Sequence, residues 1–511
     1  MNKSKSKSKS YEFWSMFLLV IGMVIGAGIY LKNQELLSQT NNPIVATSLW
    51  AVVGLVLVLS VVIFIEISKS TMNHGNGTLG NWLKIWVGRR TASVFSVMYS
   101  YIFIPSVITG FMTPVITYFL ITLDIYINPL SQLFIYLFVG IFILITIYAS
   151  NVWIPKVCKG IQLFASVFKF IPLFVALIAG FVLWGDNSSF NDETYKQGAT
   201  AITFLSGFGA ILLSFDGYVY IANMQKGATH KEQVPKALIA GMIFVSVFYV
   251  IMAIALFGGG DGSIVGVLSK IFGNSASGHR AAVILANTVM MLVCFTSTNV
   301  FVSVGMTEML SDYNAKVIYL PKEKANFKFV ALLQFLSTTI FYIVLVLLGT
   351  FVPRGDWEGI NSGYDLWENI ETRSLFMNAI GDFIGQMASA LTAYVFIAIN
   401  TLIVAAMINR FTNKVKVEKL NSYVFWPAAI ISSIMLAVIN IMAVVIFIIP
   451  TNDAVPFVQT GQFIFLLFFI LSIIASCVLW TIQEKVFKKH NETYSDFSEN
   501  IDENMKLNNW D

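Results

Sequence analysis

The chain has 511 residues, of which 57% are hydrophobic and only 12% are charged, with a formal net charge of +4. Soluble domains carry about 25% charged residues, so this composition excludes a soluble enzyme or binding domain and makes lipid the main solvent. The small positive excess does not indicate nucleic-acid binding, because the basic residues fall in short loops between apolar stretches.

Twelve membrane spans are predicted, at approximately 13–38, 43–68, 92–123, 131–150, 158–184, 198–224, 236–257, 281–310, 327–350, 376–409, 421–449 and 458–484. Most exceed the roughly 20 residues needed to cross the hydrocarbon core. If both termini are cytoplasmic, 25 of the 32 Lys and Arg residues lie in cytoplasmic segments and five lie opposite. That skew predicts cytoplasmic termini and an even number of spans. Lys32 and Lys169 fall inside spans.

The N-terminal segment 1–12 repeats Lys-Ser and is predicted to be a disordered basic tail. The apolar run from Phe13 is too long for a signal-peptide core and is followed by further spans. Within it stands Gly22-Met23-Val24-Ile25-Gly26-Ala27-Gly28-Ile29-Tyr30. Three glycines disfavour a continuous helix, and unwound backbone survives at membrane depth only against protein or a water-filled cavity. A break here predicts a binding site. The free amides of Ile25, Gly26, Ala27 and Gly28, at the positive end of a half-helix, suit a carboxylate. Farther on, residues 76–90 predict a short amphipathic helix at the cytoplasmic interface.

Span 5 carries Lys169 about ten residues inside the membrane, too deep to reach water easily. Its two readings are a carrier of a coupling proton and a fixed charge that pins span 5 to the carbonyls of span 1. Either one disfavours a sodium ion at the same spot.

Span 6 contains Ser206-Gly207-Phe208-Gly209-Ala210-Ile211-Leu212-Leu213-Ser214-Phe215-Asp216-Gly217-Tyr218. An Asp beside a Gly at that depth predicts a second break. The carbonyls of Leu213, Ser214 and Phe215 at a half-helix end suit an ammonium. A carboxylate and an ammonium on one small ligand describe an amino acid. Phe215 is read as an aromatic lid over that ligand, with a simple packing role as the alternative. Asp216 has three readings: partner of a cationic substrate, participant in proton movement, and stabiliser of the break beside Gly217, the last being favoured. Breaks in spans 1 and 6 correspond in two five-span halves of opposite topology, as in transporters built from inverted repeats. The predicted organisation is therefore 13–184 as the first repeat, 198–409 as the second, 421–484 as two extra helices and 485–511 as a cytoplasmic tail.

The remaining residues carry little chemistry. Cys158, Cys294 and Cys477 are far apart and form no disulfide framework or CxxC motif. All four histidines, His74, His230, His279 and His490, fall in loops or tails, and no HExxH or GxSxG occurs, which disfavours a membrane-embedded enzyme. No repeated filter sequence suggests a channel. No cofactor or metal is called for.

These residues resemble the amino acid–polyamine–organocation superfamily, the amino acid permeases. Ile25-Gly26-Ala27-Gly28-Ile29-Tyr30 is similar to that family's Gly-x-Gly-Ile-Phe helix, with Tyr30 in place of Phe. Glu66 followed by His74-Gly75-Asn76-Gly77 resembles its Glu and Gly-rich turn. Ser214-Phe215-Asp216-Gly217-Tyr218 looks like its aromatic-Asp-Gly-aromatic segment, and Val234-Pro235-Lys236-Ala237-Leu238 is similar to its entry into span 7. There are departures. Gly227 stands where the family often has a cytoplasmic Glu, and Gly305-Met306-Thr307-Glu308-Met309 lacks its Arg.

The resemblance implies an all-α, leucine-transporter-type fold with a 5+5 inverted repeat and broken helices 1 and 6. It implies a plasma-membrane amino acid transporter working by alternating access, proton-coupled or an exchanger. A sodium-coupled symporter of the same fold is the alternative. In family members that use protons, a span-5 lysine occupies the place of a sodium ion, which is the role proposed for Lys169. Residues 121–131 contain no Cys, so no disulfide-linked ancillary subunit is expected.

Overall fold

The computed structural model describes residues 2–71, 77–185, 188–195, 207–208, 211, 214–219, 230, 232–273, 275–320, 326–351, 370–445, 448, 457–459 and 461–489. Among these, the regular elements are all helical and there is no strand. In chain order the α-helices are α1 (Asn2–Val24), α2 (Ala27–Thr40), α3 (Pro43–Ser68), α4 (Leu79–Trp86), α5 (Arg89–Met98), α6 (Ile104–Thr122), α7 (Pro129–Trp153), α8 (Pro155–Phe168) and α9 (Phe170–Val182). They continue as α10 (Gln233–Gly259), α11 (Ile264–Ile271), α12 (Ala276–Asn314), α13 (Phe327–Phe351), α14 (Ile370–Thr412), α15 (Ser422–Val445) and α16 (Gly461–Lys489).

Nine helices among the described residues are long and apolar enough to cross a membrane, and the shorter stretches Glu12–Val24 and Phe170–Val182 are also apolar. Large apolar side chains such as Phe138, Phe142, Val182 and Ile340 stand exposed on the outside, where lipid would cover them. Local chemistry sets the starts. Pro43 opens α3 behind Asn42, whose side chain accepts from the amides of Ile44 and Val45 at 3.0 and 3.2 Å. Pro129 opens α7 behind Asn128, which accepts from Ser131 at 2.8 Å. A capping oxygen satisfies amides that the first turn leaves open, and proline has no amide there to lose.

The interior is organised around a few extensive helix pairs. α6 packs along α12 and α14, and α10 packs along α3, α1 and α9. α5 and α6 form one span through a π-helical turn at Tyr99–Phe103. Pro105 has no N–H for the Tyr101 carbonyl, and the Ser337 hydroxyl of α13 donates to that carbonyl instead, at 2.9 Å.

Four elements differ from the sequence pattern. The first span is two helices separated at Ile25-Gly26, where the glycines predict a break; what differs is that α1 is helical from Asn2 through the Lys-Ser repeat. Lysine supports helix well, and extending an existing helix is easier than nucleating one. The fifth span is two consecutive helices that meet at Lys169, whose own backbone stays helical (φ −63°, ψ −23°); Pro172 removes the donor for the Phe168 carbonyl there. The interfacial helix is shorter than 76–90 and every residue of α4 is buried; α12 and α14 pack over the face that would have met water or lipid. The loop predicted between spans 7 and 8 contains α11, capped by Ser263 at 2.9 Å. Leu213, Gly227 and the tail beyond Lys489 lie outside the described residues.

Candidate functional site

The break in the first span begins with the Ile25 amide, which still bonds to the Ile21 carbonyl at 2.9 Å. Ile25 is therefore not one of the free donors expected there. Gly26 is extended (φ −131°, ψ −153°) and caps α2 with no side-chain acceptor on the first amides. Those amides, at Ala27 and Gly28, have no partner within the helix by its geometry. The Gly28 backbone approaches Ser214 so closely that a Cβ there would stand 2.3 Å from Oγ and 2.6 Å from Cα. Only glycine allows that approach. The buried Ser214 hydroxyl has no hydrogen-bond partner among the described residues.

The second break faces the first. Gly217 has φ +108°, a left-handed value that glycine adopts without strain. A Cβ on Gly217 would lie 3.7 Å from the Met23 carbonyl oxygen. Asp216 accepts from the Gly217 amide at 2.9 Å. Ser214, Phe215, Asp216 and Gly217 thus lie beside the Gly22–Gly28 stretch.

Tyr249 of α10 joins the two breaks. Its hydroxyl lies 2.8 Å from the Val24 carbonyl and 3.0 Å from the Ser214 carbonyl. The Ser214 carbonyl, expected to receive an ammonium, is occupied by this hydroxyl in the present conformation. Phe215 is fully buried and packs on Tyr249 and Trp50, with ring centroids 5.0 and 5.8 Å away. No sequence signal marked Tyr249 or Trp50, since aromatic residues are common throughout apolar spans.

Lys169 is 3% exposed. Its ammonium donates to the Gly22 carbonyl at 2.5 Å, and the Tyr30 hydroxyl donates to the Lys169 carbonyl. The Phe170 ring lies 5.8 Å from the ammonium. No carboxylate pairs with it among the described residues. The α8–α9 junction is thereby tied to the turn preceding the span-1 break and to the helix that follows it.

A cavity of about 500 Å³ opens beside Gly28. Its walls come from α2, α6, α12 and α14, including Gly110, Pro114, Cys294, Gly381 and Gly385. Of the site residues named from sequence, Gly28 lines it and Phe215 does not. Lys32 and Glu35 of α2 also line it and pair with each other at 2.5 Å. Lys32 had an available signal, a charge inside an apolar span.

The opposite ends of the helices are closed by buried polar contacts. Glu66 pairs with Arg410 and accepts from the Leu420 amide at 2.9 Å. Arg89 pairs with Glu484 at 2.9 Å. Glu308, near the end of α12, accepts from the Leu79 amide at the start of α4, at 3.1 Å.

A family model described as amino acid permease matches residues 11–475. An uncharacterized protein of Mycoplasma pneumoniae is 24% identical over 527 aligned positions, covering 91% of this chain and 86% of that protein. The serine/threonine exchanger SteT of Bacillus subtilis is 23% identical over 240 positions, covering 47% of this chain and 52% of the exchanger.

Proposed function

The chain belongs to the amino acid permease family, and from that premise we propose that it is a secondary active transporter moving an amino acid by alternating access, through proton-coupled symport or exchange. The family and the exchanger relative place it among multi-pass membrane transporters and not among enzymes. One observation carries the finer reading: the uncapped N-terminus of α2 lies at the cavity, beside a Ser214 hydroxyl that has no hydrogen-bond partner among the described residues.

In this reading the substrate carboxylate binds the amides of Ala27 and Gly28, at the positive end of α2. The ammonium takes carbonyls of the second break once Tyr249 releases Ser214. Asp216 holds the break through the Gly217 amide, and Phe215 moves with it when the site closes. Lys169 carries the coupling proton between the Gly22 carbonyl and water. Helices 1–5 and 6–10 form inverted repeats, and both termini are cytoplasmic in the plasma membrane.

Uptake of radiolabelled amino acids into proteoliposomes, with and without a pH gradient, tests this. Uptake of at least one amino acid is expected, driven by the gradient or by internal amino acid. Gly28→Leu should abolish it while the protein still inserts, because leucine would overlap the Ser214 backbone. Uptake that requires sodium instead would favour the sodium-coupled alternative.

A further inference from the structure

Lys169 meets the first span twice. Its ammonium donates to the Gly22 carbonyl in the last turn of α1, at 2.5 Å. Its backbone carbonyl accepts from the Tyr30 hydroxyl in the first turn of α2. Gly22 and Tyr30 stand on opposite sides of the Ile25-Gly26 break. The charge of Lys169 therefore rests on one half-helix while its backbone is held by the other.

The first turn of α2 is Ala27-Gly28-Ile29-Tyr30, and of these four only Tyr30 carries a polar side chain. Ala27 and Gly28 supply the open amides at the break. A shift of that turn can reach another helix by side-chain hydrogen bonding only through Tyr30, which is buried. The other titratable groups around the break are Tyr249 of α10, bonded to the Val24 carbonyl, and Asp216, which accepts from the Gly217 amide. α7, α11 and α12 also pack on span 5. Of their charged residues, Lys270 bonds the Gly259 carbonyl, Arg280 pairs with Asp124 and Glu308 accepts from the Leu79 amide. Among the described residues no acidic side chain bonds Lys169.

We propose that Tyr30 is a positioning residue for Lys169: its hydroxyl makes the contact between the ammonium and Gly22 follow the angle between α1 and α2, and so couples proton loss to movement of the substrate-binding turn. This rests on reading Lys169 as the proton carrier. When the first turn of α2 shifts with a bound carboxylate, it carries the Lys169 backbone with it. The ammonium then leaves its acceptor, because a hydrogen bond weakens steeply as its geometry is lost. One N–H bond breaks, the proton passes to water and the lysine is left as a neutral amine. Tyr30→Phe keeps the ring, removes the hydroxyl and separates the two movements.

The test uses the full-length protein in proteoliposomes, with a labelled mixture of the twenty amino acids, with and without an inward pH gradient. Rates are normalised to inserted protein. Wild type is expected to be stimulated by the gradient. In Tyr30→Phe that stimulation should fall about five-fold, while uptake without the gradient stays within about two-fold of wild type. The pH of half-maximal uptake should also move, which loss of a purely structural bond would not cause. Stimulation and pH profile equal to wild type overturn the proposal. So does an equal loss of uptake with and without the gradient. Lys169→Met in the same assay reports on the premise. Wild type without stimulation, or Lys169→Met that keeps it, overturns the proton-carrier reading and the proposal with it. Stimulation lost in Lys169→Met but intact in Tyr30→Phe overturns the role of Tyr30 alone.

Discussion

The Lys169 ammonium rests on the Gly22 carbonyl at 2.5 Å, three residues before the helical hydrogen bonding of the first span stops. An ammonium is thus held by a neutral acceptor with no carboxylate beside it among the described residues. That arrangement ties span 5 to span 1.

Replacing Lys169 separates its two roles. In Lys169→Met the pH-gradient stimulation of uptake is expected to vanish. The orphaned Gly22 carbonyl should lower stability by about 1–3 kcal/mol, read as a fall in melting temperature in detergent. Retained stimulation together with the stability loss would make the lysine a pin alone.

Tyr249→Phe keeps the ring contacts with Trp50 and Phe215, both at 5.0 Å, and removes only the hydroxyl. The Val24 and Ser214 carbonyls then lose their shared donor. A stability loss of about 1–3 kcal/mol is expected, with altered substrate affinity because the Ser214 carbonyl is exposed to ligand. Unchanged melting and affinity would mean water takes the place of the hydroxyl without penalty.

Arg410→Ala leaves the buried Glu66 carboxylate with the Leu420 amide as its remaining partner here. Breaking one side of a buried pair is destabilising by about 3–5 kcal/mol. Adding Glu66→Gln should recover a large part of that loss, measured by thermal melting. Equal instability of the single and double variants would show that the Arg410 side chain acts through its packing on Phe425, 3.9 Å from the ring centroid.

Lys84, in α4 outside the spans, donates to the Ala315 carbonyl. Burial pushes its ammonium down from 10.5 to about 6, with Arg89 and Lys316 adding to the effect and Asp312 opposing it. Between those two values the unfolded chain binds the proton and the folded one does not. Stability from this group therefore rises as pH rises above about 6. Wild type should gain more in melting temperature between pH 6 and pH 9 than Lys84→Met. Identical gains would show that Lys84 keeps its proton when folded.

Much of the architecture was legible without coordinates, because the features involved are local. An apolar run long enough to cross lipid needs no partner to be recognised, and Gly26 and Gly217 interrupt helix by their own backbone properties. Lys169 and Asp216 stood out because charge inside an apolar run has so few permitted uses. The break positions, the family and the membrane environment follow from such signals.

Contacts between distant segments had no such signal. That the Ile25 amide is already bonded, that Tyr249 bridges Val24 and Ser214, and that Gly28 lies against Ser214 depend on how α2 and α10 pack around the second break. The burial of all of α4, unlike the interfacial helix its amphipathic pattern predicts, depends on what α12 and α14 place over it. The Tyr101 carbonyl is the clearest case. Pro105 removes its donor by covalent structure alone, but only the tertiary fold decided that the Ser337 hydroxyl of α13 would take that donor's place. Hydrogen-bond supply is local in a helix, and demand at its faults is met, or left open, by whichever helix packs there.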